Sequence, residues 1–258
     1  MIKKSGVVLS VSLFSSILFG CVAAAAPVGN PAGPVLLEGN YPTKFSLEAE
    51  TVLERRLDTP SYSGKPKYKG MLYMGKVSFY LGKKLDFYGL IGVQEGRVSD
   101  FADPSKFRII TKMVGAWGFG MSYVLHAWEF NKGLVRLGAD AKFREFRPEM
   151  KDIQLGGNAI NTIDESLRVK EWQTSLGLSY QYKKFIPYCG IKYSDVGMHL
   201  KFKDNRTGIN YSDTQITSKN KVGLFYGFDT LLSDNLSLNV EGRCIDETAA
   251  NIGFNARF

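Results

Sequence analysis

Apolar and polar residues alternate along most of the chain, and the alternation is clearest at its end. In the final segment NIGFNARF, every second residue from Ile252 to Phe258 is apolar, and the residues between them are small or polar. The same period of two runs through KFSLEAETVLE, which begins at Lys44, and through VRLGADAKFR, which begins at Val135. This period predicts strands with one apolar face. No segment has a convincing helical period, so the chain is predicted to be all-β.

The predicted connections between these strands alternate between tight and wide. Tight turns are predicted near residues 82–84, 131–133, 183–184 and 233–235, and wide loops at 55–67, 99–107, 147–166 and 203–216. A last, short connection on the side of the wide loops is predicted at 246–248. With ten strands, all tight turns lie at one end of the sheet together with both chain termini. Bacterial outer-membrane barrels have this arrangement, and closed barrels satisfy every backbone polar group within lipid.

We therefore predict an antiparallel up-and-down transmembrane β-barrel of about ten strands. Twelve strands is the alternative, and residues 185–203 could form one bent strand or two short ones. The final strand is expected to pair with the first one near Phe45 and so to close the barrel.

The N-terminal segment is predicted to be a cleaved signal peptide. Lys3 and Lys4 precede an apolar stretch, and small residues follow up to Ala26, which is the pattern of a secretory signal. We expect a signal peptide at 1–25, an N-terminal periplasmic segment at 26–43 and the barrel at 44–258. A competing interpretation is a lipoprotein signal that ends in acylated Cys21, although Phe19 fits that pattern poorly.

Composition and charge exclude several classes of protein. Hydrophobic residues make up 44% of the chain and charged residues 22%, which argues against disorder. The formal net charge of +8 falls to about +6 when the signal and its two lysines are removed, and an exported chain is not expected to bind nucleic acid. Only Cys189 and Cys244 follow the signal, too few for a disulfide-built scaffold.

Catalytic motifs are weak in this sequence, and no enzymatic function is predicted. A G-x-S-x-G nucleophile motif does not occur. His199 and Asp195 are four residues apart, which places them more than about 10 Å apart on a strand. His126 is expected at the membrane interface. We expect no metal and no cofactor.

Three segments resemble the chlamydial major outer membrane protein family. They are PVGNPAGP at 27–34, EWQTSLGLSYQYKKFIPYCGIKYS at 171–194 and VEGRCIDETAANIGFNARF at 240–258. The resemblance implies an outer-membrane porin that admits small solutes and contributes to envelope integrity. The family typically carries many cross-linking cysteines, and this shorter, cysteine-poor chain departs from it there.

The polar face of the strands is predicted to point into the barrel. Nine basic and eight acidic residues fall on it, among them Glu50, Glu54 and Lys221, and this near balance indicates no ion preference. The candidates for lining a lumen are Lys76, Lys112, Arg136, Asp140, Lys142, Arg144, Glu171, Glu241 and Arg243. These charges could border a water-filled passage, or they could pair across a narrow interior and plug it. The loop 147–166 could constrict such a passage or contact a host surface.

Three functions remain open from the sequence. The first is passive diffusion of small hydrophilic solutes or ions through an outer-membrane porin with an envelope-structural contribution. The second is a non-conducting structural or adhesive barrel that acts through its external loops, and the third is a soluble ligand-binding barrel. Outer-membrane lipid and the outer-membrane assembly machinery are the expected partners, with Phe258 as the C-terminal assembly signal. Homo-oligomerisation is left open.

Overall fold

The computed structural model describes residues 42–59, 65–82, 84–99, 108–155, 158–159, 162–204 and 210–258. The predicted signal peptide, most of the N-terminal segment and Cys21 lie outside these residues. The strands are β1 Thr43–Asp58, β2 Lys67–Leu81, β3 Leu85–Ser99, β4 Arg108–Thr111, β5 Val114–Phe130, β6 Gly133–Phe146, β7 Met150–Leu155, β8 Asn158–Ala159, β9 Thr162–Gln181, β10 Phe185–Asp204, β11 Asn210–Ser218, β12 Val222–Leu231, β13 Leu236–Cys244 and β14 Glu247–Arg257. The described part of the chain contains no helix that is long and apolar enough to cross a membrane.

Ten of these strands form a closed antiparallel barrel. Around the wall the order is β1, β2, β3, β5, β6, β9, β10, β12, β13 and β14, and β14 pairs back onto β1. At this seam Lys44 lies opposite Arg257, and the Phe258 amide donates a hydrogen bond to the Thr43 carbonyl at 3.0 Å. The predicted fold, the strand number of ten and the closure by the last strand are confirmed. Residues 185–203 form a single strand.

The four predicted tight turns lie at one end of the barrel, which we call the turn end. The wide connections lie at the other end, which we call the loop end, together with the short β13–β14 turn. At the turn end, Asn131 and Lys132 join β5 to β6 with φ angles of 45° and 66°. Positive φ at both central residues is the geometry of a type I′ hairpin, whose twist matches that of paired strands.

Much of the sequence that we assigned to wide loops continues as strands at the loop end. β4 and β7 pair with each other as extensions of β5 and β6. β11 pairs with β10 and also, at Leu57 and Asp58, with β1. β11 thereby connects β10 to β1 at the loop end, beyond the short β13–β14 hairpin. The predicted loops 147–166 and 203–216 are thus partly wrong, because their backbone groups are satisfied by pairing.

The two faces of the wall differ as the alternation predicts. Large apolar side chains such as Leu47, Phe79, Ile91 and Phe254 are exposed on the outer surface. An exposed apolar surface of this extent is typical of a membrane barrel, whose outer face contacts lipid.

The interior of the loop end is apolar, contrary to the uniformly polar interior that we predicted. Buried apolar side chains form one cluster, which includes those of the loop end and reaches along β2 and β3 as far as Tyr88. We call it the apolar plug: Val52, Leu57, Tyr68, Leu72, Met74, Tyr88, Leu90, Val98, Ile109, Ala116, Phe146, Met150, Ile153, Leu167, Val169, Val196, Met198, Leu200, Ile216 and Ala249. The extra strands supply Ile109, Met150, Ile153 and Ile216. Two of these residues, Met150 and Ile153, belong to the segment for which we had considered a constricting role.

Two glycines of β3 provide a matched test of this packing. A methyl group added to Gly92 would overlap the Tyr73 carbonyl oxygen and lie 2.8 Å from the Met74 Cα, whereas one added to Gly89 meets nothing within 4 Å. We expect Gly92→Ala to destabilise the barrel by about 1–3 kcal/mol through overpacking. Gly89→Ala should be neutral or slightly stabilising. Urea unfolding in detergent micelles measures both, and equal effects of the two variants would contradict the described backbone contact.

Candidate functional site: the charged interior of the barrel

Glu171 is the centre of a buried network of charges between four strands. It lies on β9, where the register places it opposite Arg144 of β6 and Val196 of β10. Its Oε1 accepts hydrogen bonds from Arg55 Nη1 and Ser194 Oγ, each at 3.0 Å, and its Oε2 contacts Arg144 Nη2 and accepts a bond from Nε at 3.0 Å. Arg144 Nη1 also reaches Glu50 Oε2 at 3.1 Å. The network thereby links β1, β6, β9 and β10 through the interior.

A second group of charges is formed at the β13–β14 turn. Asp246 and Glu247 point inward from this turn, where Lys192 Nζ lies 2.8 Å from Asp246 Oδ2 and also contacts Glu247. Glu247 contacts Arg55 as well, and Arg243 Nη1 approaches its Oε1 at 3.4 Å. Arg55 is therefore the residue that joins the two groups.

Together these residues make up what we call the ionic cluster: Glu50, Arg55, Lys142, Arg144, Glu171, Lys192, Glu241, Arg243, Asp246 and Glu247. All ten are buried. Five are cationic and five are anionic, so the cluster is formally neutral. Removing so many charges from water is costly unless they find partners of opposite sign. The contacts described above supply such partners, and Arg243 Nε lies 3.1 Å from Glu241 Oε1 as well.

Toward the turn end the interior remains polar but carries fewer ion pairs. Tyr88 donates a hydrogen bond to Asp140 Oδ2 at 2.8 Å, and Lys76 Nζ lies 4.0 Å from the centroid of the Tyr88 ring. Tyr188 is similarly bonded to Glu241 at 3.1 Å. Arg136 donates to Gln181 at 2.8 Å. Tyrosine rings thus fill the space between the charged groups of this layer.

Eight of the nine lumen-lining candidates lie in the interior, and one does not. Lys76, Arg136, Asp140, Lys142, Arg144, Glu171, Glu241 and Arg243 point into the barrel. Lys112 lies between β4 and β5 with an exposed side chain, and its Nζ contacts the exposed Glu149 at 2.9 Å. The interruption at residues 112–113 takes its side chain out of the alternation. The structure therefore does not bring Lys112 to the other candidates.

The sequence analysis did not single out four members of the ionic cluster. Arg55 follows an irregularity in β1, where Leu53 is skipped in the pairing between Val52 and Glu54. Because of this bulge, Arg55 points inward and Glu54 instead pairs with Lys67 Nζ at 3.1 Å. The sequence carries no clear signal of that irregularity.

Of the other three missed residues, only Lys192 had a signal in the alternation of the sequence. Asp246 and Glu247 were assigned to a turn, in which the alternation does not apply. Lys192 could have been found, because Ile191 and Tyr193 on either side of it are apolar and exposed. Lys221, which we predicted to be inward, instead pairs with Asp195 Oδ2 at 2.9 Å, and both side chains are partly exposed.

The remaining reactive side chains are not brought together. Cys189 and Cys244 are not joined by a disulfide, and they lie on strands separated by β12. Within the described ranges, no group of three or more His, Cys, Asp or Glu side chains is arranged to hold a metal ion. The ionic cluster is therefore the feature on which a function can be argued.

Comparison with known proteins points to one family. The family described as Chlamydia major outer membrane protein matches residues 142–206. Among curated proteins, the major outer membrane porin of Chlamydia trachomatis serovar D is 25% identical, and the match covers 72% of this chain and 65% of that protein. The porin of serovar L1 is 23% identical with the same coverage. The match thus spans just under two thirds of the length of these relatives.

Among solved structures, the outer membrane protease OmpT from Escherichia coli has a similar fold. The TM-score is 0.50 at 10% identity, and the match covers 88% of this chain and 100% of that one. At this identity the likeness concerns the barrel alone. The closed ten-strand barrel, the matched segment and the curated relatives identify the chain as a bacterial outer-membrane barrel and a distant relative of the chlamydial major outer membrane protein family.

Proposed function

We propose that this chain is an outer-membrane porin for small hydrophilic solutes or ions. The observation that carries the proposal is the ionic cluster: a barrel that only had to be stable could fill its interior with apolar side chains at no loss of stability. A charged interior instead provides the groups that replace the hydration of a polar solute in transit. The names of the curated relatives, which are porins, support the same function.

In this proposal the described conformation is the closed state. The side chains of the ionic cluster are paired and buried, and the apolar plug closes the loop end. A solute passes when Arg144 and Arg55 separate from Glu171 and the strands β4, β7 and β11 move off the loop end. β4 and β7 have only four and six residues, and β11 meets β1 at only two residue pairs. Such sparse pairing is typical of elements that open locally.

Planar-bilayer conductance of the refolded protein tests this function. We expect the unchanged protein to open rarely, and Arg144→Ala, which removes the link between Glu50 and Glu171, to raise the open probability or the conductance several-fold. Lys112→Ala is the matched control, because it removes an equal charge outside the interior. Resistance of the folded band to sodium dodecyl sulfate at room temperature verifies folding of each variant.

The outcomes separate two proposals. If the unchanged protein conducts and Arg144→Ala behaves identically, the porin function stands but the ionic cluster is not its gate. If both folded proteins are silent, the second candidate is favoured: a non-conducting structural or adhesive barrel that acts through its loop end. The specific observation in favour of that candidate is the apolar plug, whose buried side chains pack inside the loop end.

We propose no catalytic role, in line with the names of the porin relatives. The expected partners also remain proposals. Phe258 is exposed beyond the end of β14 while its backbone pairs with Thr43, so its ring is accessible for recognition by the assembly machinery.

A further inference from the structure

A group of basic side chains lies on the outer surface of the barrel at the loop end. Arg147 follows β6, Arg168 and Lys170 lie on β9, and Lys201 lies on β10. With Lys112 beside Arg147, these five residues form what we call the outer basic patch. The register brings β6, β9 and β10 together here, since Lys170 is opposite Glu145 and Arg168 is opposite His199.

The patch lies directly above a cluster of outward-facing aromatic rings. The rings of Trp172 and Phe143 are 4.7 Å apart, and those of Phe143 and Trp117 are 5.8 Å apart. Arg168 is four residues beyond Trp172 on the same strand. Rings in this position are typical of the belt at the boundary between hydrocarbon and headgroups.

The dimensions of β9 place the patch at the level of the headgroups. From Tyr182 to Trp172 is ten residues, about 33 Å along the strand and about 25 Å along the axis of a barrel with strands tilted by about 40°. This distance equals the height of the apolar band of an outer-membrane barrel. Arg168 then lies about 10 Å beyond the edge of the hydrocarbon. The loop end faces outward in such barrels, so this is the outer leaflet.

The charges of the patch are complementary to phosphate. Five cationic side chains accompany two carboxylates, Glu145 and Glu149. Glu145 accepts bonds from Arg168 Nε at 3.0 Å and from Arg168 Nη2 at 2.9 Å, and it lies 3.2 Å from Arg147 Nε. This fixes the orientation of the two guanidinium groups while leaving 43% of the Arg168 side chain and 71% of the Arg147 side chain exposed.

The surface between these residues is concave rather than flat. Three adjoining clefts of about 480 to 750 Å³ run from Trp117 past Arg147 and Arg168 to Lys201. Fixed arginine forks at the edge of a cleft bind phosphate oxygens with defined geometry. Acyl chains of the same ligand would lie against the aromatic rings below.

We infer that the outer basic patch binds the phosphate groups of a phosphorylated glycolipid of the outer leaflet, of the lipid A type. Its arginines and lysines contact the phosphates, and Trp117, Phe143 and Trp172 contact the sugar and the upper acyl chains. Such binding would hold a layer of anionic lipid around β6, β9 and β10. It is independent of whether the barrel conducts.

Binding of lipid A to the refolded full-length protein in detergent micelles, measured by native mass spectrometry, tests this inference. The triple variant R168Q/K170Q/K201Q should bind lipid A roughly 100-fold more weakly, since each basic residue near an anionic lipid surface is worth roughly a fivefold change. The matched control is K132Q/K183Q/K184Q, which removes three exposed lysines at the turn end and should bind as the unchanged protein does.

A second measurement requires no variant. Lipid A from which the phosphates have been removed enzymatically should bind the unchanged protein as weakly as intact lipid A binds the triple variant. Equal binding of the two lipids, or equal binding by the folded triple variant, would overturn the inference. So would heparin or inorganic phosphate that binds at the patch when lipid A does not, because the ligand would then be a soluble polyanion.

Discussion

Glu171→Ala is expected to lower the free energy of unfolding by about 3–5 kcal/mol, because removing one partner of a buried ion pair leaves its counterpart charged and uncompensated. Two arginines are affected at once. Arg55 loses its 3.0 Å contact with Oε1, and Arg144 loses its contacts with Oε2. Glu50 and Glu247 still pair with them, which limits the loss to that of one carboxylate.

Urea unfolding followed by tryptophan fluorescence in detergent micelles measures this effect. Glu149→Ala is the matched control: its carboxylate is 69% exposed and pairs with the 56% exposed Lys112. Exposed pairs contribute about 0–1 kcal/mol, so the control should unfold nearly as the unchanged protein does. A small effect of Glu171→Ala would mean that water reaches the two arginines, and the interior would then be a wet lumen in the resting state.

Leu178→Arg should destabilise the barrel by about 2–4 kcal/mol, which is the cost of an arginine on the lipid face near the bilayer midplane. Leu178 is 44% exposed on β9, near the middle of the span from Trp172 to Tyr182, and it lies opposite Leu137 of β6 and Cys189 of β10. Its side chain therefore has lipid rather than water around it, and a guanidinium group there finds no water.

Leu236→Arg is the control for the position of the charge. Leu236 is also exposed, but it begins β13 at the turn end, where the cost falls to about 0–1 kcal/mol. The two variants are compared by unfolding in lipid vesicles. Equal stability of both would show that Leu178 faces water, and the assignment of the outer surface to lipid would be wrong.

Glu171→Ala and Leu178→Arg probe the two faces of the barrel wall. Glu171 is buried because ten strands surround it, whereas Leu178 is exposed because a membrane covers it. The type of the residue alone does not predict whether its side chain is buried or exposed. The period of two assigned residues to the correct face over most strands, because successive side chains of a strand point to opposite faces of the sheet.

The alternation failed where the backbone was irregular. One skipped residue at Leu53 reversed the directions of Glu54 and Arg55, since a shift by one residue exchanges the faces of everything beyond it. The interruptions at residues 112–113, between β4 and β5, and at 219–221, between β11 and β12, had a similar effect on Lys112 and Lys221. These errors concern individual side chains and leave the strand order unchanged.

By itself the sequence determined that the chain is all-β, that its strands have one apolar face, and that about ten of them close into a barrel with its tight turns at one end. These properties follow from local periodicity and turn chemistry. Only the tertiary structure decided that the loop end is filled by apolar side chains and that Arg55, Glu171 and Glu247 meet inside. The contacts of Arg55 with Glu171 and Glu247 join residues more than a hundred positions apart. They depend on the radius and register of the closed barrel, which no local pattern specifies.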